Sequence, residues 1–205
     1  MTAQPENPRF PLDYRPSGEA GKSYARRVKT GFFERYCSGP IVLDVGFQGY
    51  DNPESNPALP GAVGVDLDFP NYDGLRLPFD DGTVDTVFSS HCLEHIPDEQ
   101  GAIRDWFRVL KLNGFLVCMV PSQALYEKRQ HLPSRWNTDH KRFYSPGSLL
   151  IAVEKALPVN AYRVRHCKEN DIGFDYNLGP ETHSSGCYEI ELVIEKIPQP
   201  NWSLA

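Results

Sequence analysis

Cysteine is sparse and poorly placed for crosslinking. The 205-residue chain has five, Cys37, Cys92, Cys118, Cys167 and Cys187, scattered and without a C-x-x-C pair. That is neither a disulfide framework nor a zinc-binding spacing; reduced, buried thiols are expected. Basic charge is also short. Lys plus Arg total 21 against 27 Asp plus Glu, a formal charge of −6, whereas a protein that coats nucleic acid is normally basic. Long apolar runs are missing. The longest, Phe115 to Val120, falls far below the ~20 residues that span a bilayer. Met1 to Arg9 is polar and proline-bearing, without the apolar stretch of a secretory signal. No internal repeat or low-complexity tract is present. The expectation is a cytoplasmic protein with no membrane span and no nucleic-acid partner, its oligomeric state left open.

What is present suffices for a core. Hydrophobic residues make up 40% and aromatics 12%, which fits one folded domain. Pro5, Pro8, Pro11 and Pro16 make residues 1–20 an irregular arm. The domain proper is expected over 21–197, with long loops at 122–145 and 168–187 and a tail at 198–205. Tyr24, Val28, Phe32 (or Phe33) and Tyr36 recur at helical spacing over 21–37, with Arg26, Arg27 and Lys29 between them, which reads as an amphipathic cover helix. Short apolar runs at 41–46, 62–65, 84–88 and 115–120 read as buried parallel strands. A helix is expected over 98–112, another from the N-cap Ser145 and Pro146 to Pro158. Strands at 162–167 and 187–197 follow, the second alternating apolar with acidic residues. The pattern implies an α/β fold: a mostly parallel sheet, helices on both faces, and an antiparallel final strand.

Open α/β sheets bind ligands beyond the carboxyl ends of their strands. Three segments lie there: Asp44-Val45-Gly46-Phe47-Gln48-Gly49, Asp66-Leu67-Asp68 and Ser89-Ser90-His91. Asp66 lies 22 residues after Asp44, and an acidic residue ~20 positions past a glycine turn suits a ribose diol. The loop from His131 to Tyr144 follows the fourth strand and is dense in Arg, His, Trp and Tyr, groups that hold polar ligands.

The series VLDVGFQG, GVDLD, LPFDDGTVDTVFSSHCLEHIPD and WFRVLKLNGFLVCMVP resembles the class I S-adenosylmethionine-dependent methyltransferases, most closely a small bacterial type that modifies sugars and polysaccharides. The resemblance implies a Rossmann-like fold, S-adenosyl-L-methionine as cofactor, and methyl transfer to a small polar acceptor, first a hydroxyl of a sugar or glycan precursor. It further implies that Gly46, Phe47, Gln48 and Gly49 turn around the methionine part and that Asp44 orients this turn and faces the cofactor amine. Asp66 then takes the ribose, Leu67 the adenine, Asp73 the adenine amino group, and Ser89, Ser90 and His91 the methionine end. Leu93-Glu94-His95-Ile96 borders the acceptor pocket in such proteins.

Removing a proton from a hydroxyl acceptor calls for a histidine or carboxylate. His140 is the first candidate, with Asp139 or His95 as orienter or alternate. His131, Arg135, Trp136, Arg142 and Tyr144 are the candidate acceptor-binding residues. No metal is expected: His166, His183 and Cys187 lack a ligand spacing. The chain departs from the family pattern at Gln48, where a second glycine is usual. It departs again over Tyr50–Pro60, where Pro53, Pro57 and Pro60 oppose a helix, and between Asp66 and Leu77, which is too short for the usual helix and strand. These shortened parts open the site. They also motivate two alternatives, a degenerate binding or scaffold protein without turnover, and N- or O-methylation of another small metabolite.

Overall fold

The computed structural model describes residues 9–47 and 54–202. Six strands form one sheet: β1 (Val42–Val45), β2 (Val63–Val65), β3 (Val84–Ser90), β4 (Leu110–Pro121), β5 (Tyr162–Asn170) and β6 (Glu189–Lys196). Their spatial order is β2-β1-β3-β4-β6-β5. β1 pairs in parallel with β2 and β3, and β3 with β4, while β6 runs antiparallel to both β4 and β5. This is the expected mostly parallel sheet with one reversed strand.

Alternation along the strands feeds two cores. Leu43, Val45, Val87, Leu116 and Ile190 meet Ile103, Trp106, Leu149 and Val153 of α3 (Glu99–Val109) and α4 (Pro146–Ala156). Val42, Phe88, Val117, Met119 and Val193 meet Tyr24, Phe32 and Phe33 of α1 (Ala20–Lys29) and α2 (Phe32–Tyr36), with Phe10 of the arm. The caps are local chemistry. Asp98 Oδ1 accepts from Gly101 N at 2.8 Å, and Ser145 and Ser148 form a reciprocal capping box ahead of Pro146.

Four expectations are corrected. The helix expected over 21–37 breaks into α1 and α2 at Gly31, which takes the left-handed φ of 69°. The helix expected to reach Leu112 ends at Val109 because Leu110 is already extended and paired with Val84; the bulge that follows carries Gly114, where a Cβ would press Asp85 O and Lys111 O at 2.9 Å. Cys37, Cys118 and Cys187 are buried as expected, but Cys167 is exposed on the edge strand β5. Finally, Arg27 does not face solvent.

Arg27 is fully buried. Its Nη2 reaches Glu189 Oε1 at 2.7 Å and Glu191 Oε1 at 3.1 Å. Arg26 also pairs with Glu191, and His166 Nε2 lies 3.1 Å from it. The acidic side of β6 is therefore an ion-paired interface, and β6 is buried on both faces inside the sheet. Burial alone would raise Glu189, but the Arg27 guanidinium, with His91 and Ser23, holds it well below the usual carboxylate range. No helix among the described residues is long and apolar enough to cross a membrane.

Removing one member of a buried ion pair leaves an uncompensated charge and costs about 3–5 kcal/mol. Arg27→Met is expected to lose about that much in urea unfolding, with recovery when Glu189 and Glu191 are both changed to Gln. A loss below about 1 kcal/mol would show that Arg26 and His166 neutralise the two carboxylates alone.

Candidate active site

The carboxyl edge of the sheet carries a cavity of about 780 Å³, within the ~300–1,000 Å³ of small-ligand sites. Strand order sets its two ends. Asp66, Leu67, Tyr72 and Gly74 form the end beyond β2; Asp44 and Val45 end β1 and Gly46 and Phe47 follow it; Ser90 ends β3 and His91, Cys92, Glu94 and His95 follow it. Because β6 is reversed, its approach also reaches this edge, adding Tyr188. The loop after β4 adds Tyr126, Asn137, Asp139 and His140, and the arm adds Ser17 to Ala20. The arm is clasped to the next wall by Ser17 N to Asn56 O and Asn56 N to Ser17 Oγ, both 3.0 Å.

At the β1 turn, Gly46 has φ 84°, and a Cβ there would strike Cys92 at 2.4 Å. Gly64 is just as tight against the Phe47 ring. These glycines let the β1 turn pack onto its neighbours. Asp44 Oδ2 accepts from Ala58 N at 2.7 Å, fixing the segment after the turn. Residues 54–62 contain no helix, in keeping with their prolines. Gln48 and Gly49 lie outside the described residues.

At the far end Glu94 is fully buried, and neither of its carboxylate oxygens has a hydrogen-bond partner. Three imidazole nitrogens surround its Oε1: His95 Nε2 at 3.8 Å, His91 Nδ1 at 3.9 Å and His140 Nε2 at 4.0 Å. Each ring turns its other nitrogen to a carboxylate. His140 Nδ1 lies 2.5 Å from Glu127 Oε1, His95 Nδ1 3.0 Å from Asp139 Oδ2, and His91 Nε2 3.6 Å from Glu189 Oε2. Burial raises the Glu94 carboxyl. Burial opposes a charged His91, but the Glu189 and Glu94 carboxylates outweigh it and raise that ring. Burial pushes the Cys92 thiol up to about 12, so it is a neutral wall residue. His91 leaves β3 with φ 53°, a conformation uncommon for a side-chain-bearing residue.

Of the expected site residues, Asp44, Gly46, Phe47, Asp66, Leu67, Ser90, His91, His95, Asp139 and His140 line the cavity. Asp73 and Ser89 are not among its lining residues: Asp73 Oδ1 accepts from Leu75 N and Arg76 N at 2.9 and 2.8 Å, and Ser89 is fully buried. The five acceptor-binding candidates are likewise absent from the lining. Arg142 donates to the carbonyls of Leu93, Ile96 and Pro97. Tyr144 donates to Glu99 at 2.7 Å. Arg135 donates to Pro180 O and pairs with Glu181 at 2.9 Å. Trp136 Nε1 donates to Tyr126 O, and His131 is exposed. These contacts brace the walls. Sequence reasoning overlooked Glu127, Tyr126, Tyr188 and the arm; only Glu94, inside the LEHI segment, carried a signal.

Residues 52–118 match the methyltransferase domain family. The demethylmenaquinone methyltransferase of Streptomyces griseus is 40% identical over 100 residues, covering 48% of this chain and 37% of that protein. The chain spans less than half the length of the curated relatives it matches. The structure of an S-adenosylmethionine-dependent methyltransferase from Aquifex aeolicus superposes with a TM-score of 0.52 at 16% identity, covering 84% of this chain and 89% of that one. The [4+2]-cyclase SpnF superposes with a TM-score of 0.57 at 17% identity, covering 89% and 86%. The fold is thus the Rossmann-like fold of the methyltransferases.

Burial, opposed by the Ala58 N–H and reinforced by Asp66, raises Asp44 to about 6. A carboxyl raised above its unfolded value of ~3.9 keeps its proton in the native state while the unfolded chain releases it. Its contribution to stability therefore falls as pH rises from ~4 to ~6. Asp44→Asn retains an acceptor for Ala58 and removes this penalty. Melting curves from pH 4 to 8 are expected to show the variant more stable by about 1–3 kcal/mol at pH 7.5, the gain vanishing near pH 4. A pH-independent difference would contradict this.

Proposed function

We propose that the chain transfers a methyl group from S-adenosylmethionine to a small polar acceptor held at the histidine end of the cavity. The observation that carries this is the cavity itself: one opening joins the acidic and glycine-bearing ends of β1 and β2 to the histidine and carboxylate cluster after β3. The matched family and the shared fold support the same reading. The donor set fits the cofactor, with a carboxylate at Asp66 for a diol, the exposed Leu67 as an apolar face, and Phe47 over the turn.

When bound, S-adenosylmethionine supplies an already activated methyl group on sulfur. The protein's part is alignment and exclusion of water. Asp66 would hold the ribose, while Gly46 and Phe47 would face the methionine part. Asp44 would orient that turn, and Ser90 and His91 would lie at the methionine end. Asp73 and Ser89 then support the two ends from behind. The acceptor's proton is handled where His95 and His140 meet Glu94, the rings being fixed by Asp139 and Glu127. Tyr126, Asn137 and Tyr188 offer the mix of rings and polar groups that suits a sugar-like acceptor, and a sugar or glycan-precursor hydroxyl is the first choice. Arg135, Trp136, Arg142 and Tyr144 shape this pocket through the walls they brace.

Calorimetric titration with S-adenosylmethionine and S-adenosylhomocysteine is expected to show one site, weakened at least ~10-fold in Asp66→Ala, since hydrogen bonds to a charged group contribute about 1.5–3 kcal/mol. An acceptor screen then begins with nucleotide sugars. On the acceptor found, His140→Gln is expected to lower kcat by about 10²–10⁴-fold with cofactor affinity unchanged. A folded protein that binds neither ligand would overturn the enzyme reading and favour a non-catalytic binding module.

A further inference from the structure

A buried carboxylate is normally hydrogen-bonded or paired; Glu94 has neither oxygen hydrogen-bonded, although three imidazoles face it. The separations of 3.8–4.0 Å are too long for hydrogen bonds. They are close to what a shared cation sets: bonds of about 2.0–2.2 Å place neighbouring ligand atoms roughly 3–3.5 Å apart. One ligand atom each from Glu94, His95 and His140 lies within 4.8 Å of the others, so a contraction of about 1 Å closes the site.

The surroundings point the same way. A metal-bound histidine donates its second ring N–H to a carboxylate, which fixes the ring and turns the lone pair to the metal. His140 meets Glu127 and His95 meets Asp139 in that manner, leaving both Nε2 atoms toward Glu94. His91 stands on the same oxygen of Glu94, backed by Glu189. Four carboxylates face the three rings; Asp139 is also paired with Lys141 and Glu189 with Arg27, which leaves Glu94 and Glu127 as the acidic groups nearest the gap.

We propose that Glu94, His95 and His140 bind a divalent first-row transition-metal cation at the acceptor end of the cavity, with His91 as an adjacent donor. Nitrogen donors exclude magnesium and calcium as the preferred ion and suit zinc, cobalt, iron or manganese. Three protein ligands leave positions open toward the cavity, where an oxygen-bearing acceptor would be held and its hydroxyl made more acidic; with the cation bound, His95 and His140 are ligands in place of their proton-handling role, and the hydroxyl proton is released to solvent. The cation site stands on its own geometry; only this role toward the acceptor rests on the methyl-transfer reading.

The test is chelator treatment of the full chain followed by calorimetric titration with Zn²⁺, Co²⁺ and Mn²⁺, with visible absorption of the Co²⁺ form. One equivalent of Zn²⁺ or Co²⁺ is expected, weakened on the order of 100-fold or more in Glu94→Gln and His95→Gln and by about 10–100-fold in Glu127→Gln. Melting without metal checks folding; if Glu94→Gln does not fold, the partly exposed His95 carries the test. A folded, chelator-treated chain that takes up none of the three ions, or that binds them equally well in the variants, overturns the proposal. Cofactor titration of the same samples separates the two readings. Cofactor binding without metal removes only this one, and metal binding without cofactor removes only methyl transfer.

Discussion

A fully buried guanidinium sets the geometry of this protein. Arg27 binds α1 to the start of β6 through Glu189 and Glu191, and Ser23 and Asn170 add hydrogen bonds of 2.8 and 2.7 Å to Glu189. Such a network is demanding, because every member left unpaired costs several kcal/mol. It ties α1 to the sheet at this position, with Arg27 Nη1 and Asn170 Oδ1 left without hydrogen-bond partners. The first turn of α1 and the arm before it form a cavity wall, so the same pairs that fix the helix fix the wall. Glu189 also faces His91, which faces Glu94. Structural charge and the candidate chemistry are parts of one chain of contacts.

The elements legible in the sequence are those whose signals are local. Ile41 to Gly46 is an apolar run ending in a glycine turn, and Ser145-Pro146 is a cap with its first helical residue; both stand where the residues alone put them. Asp66 was legible by spacing, and it lines the cavity. Arg27 was not legible, since a basic residue at helical spacing reads as solvent-facing and its partners lie more than 160 residues away. The acidic alternation of β6 carried no sign of this partner for the matching reason. Arg27 and these carboxylates are the two halves of one buried interface.

Loop composition was the weakest guide. The segment from His131 to Tyr144 has the residue types of a polar-ligand site, yet its two arginines and its tryptophan satisfy backbone groups: Arg142 on the carbonyls after β3, Trp136 on Tyr126, Arg135 on Pro180. An arginine has five donors, and an irregular loop has many carbonyls without secondary-structure partners. Composition cannot tell these from a ligand. What singles out His140 and His95 is that each ring is held by a carboxylate on one side and open to Glu94 on the other. Glu127, in a single π-helical turn thirteen residues before His140, had no sequence signal for that role.

The reversed strand explains how the site came to have two unlike ends. In a parallel sheet every strand presents its last residues to the ligand edge. Here β6 presents its first, so Tyr188 and Glu189 arrive beside the residues that end β3 and β4. The β1–β2 side keeps the glycine turn and acidic residue that a ribose-bearing ligand needs. The β3–β4–β6 side gains the Glu189 carboxylate from a strand that would otherwise begin at the opposite edge. Fold similarity does not choose the chemistry, as a methyltransferase and a cyclase share this architecture. The choice rests with the second end, where a buried carboxylate lacking hydrogen bonds sits among three fixed imidazoles. Replacing Glu94 with an apolar residue of similar size would remove a buried carboxylate that lacks hydrogen bonds, so Glu94 costs stability where it stands.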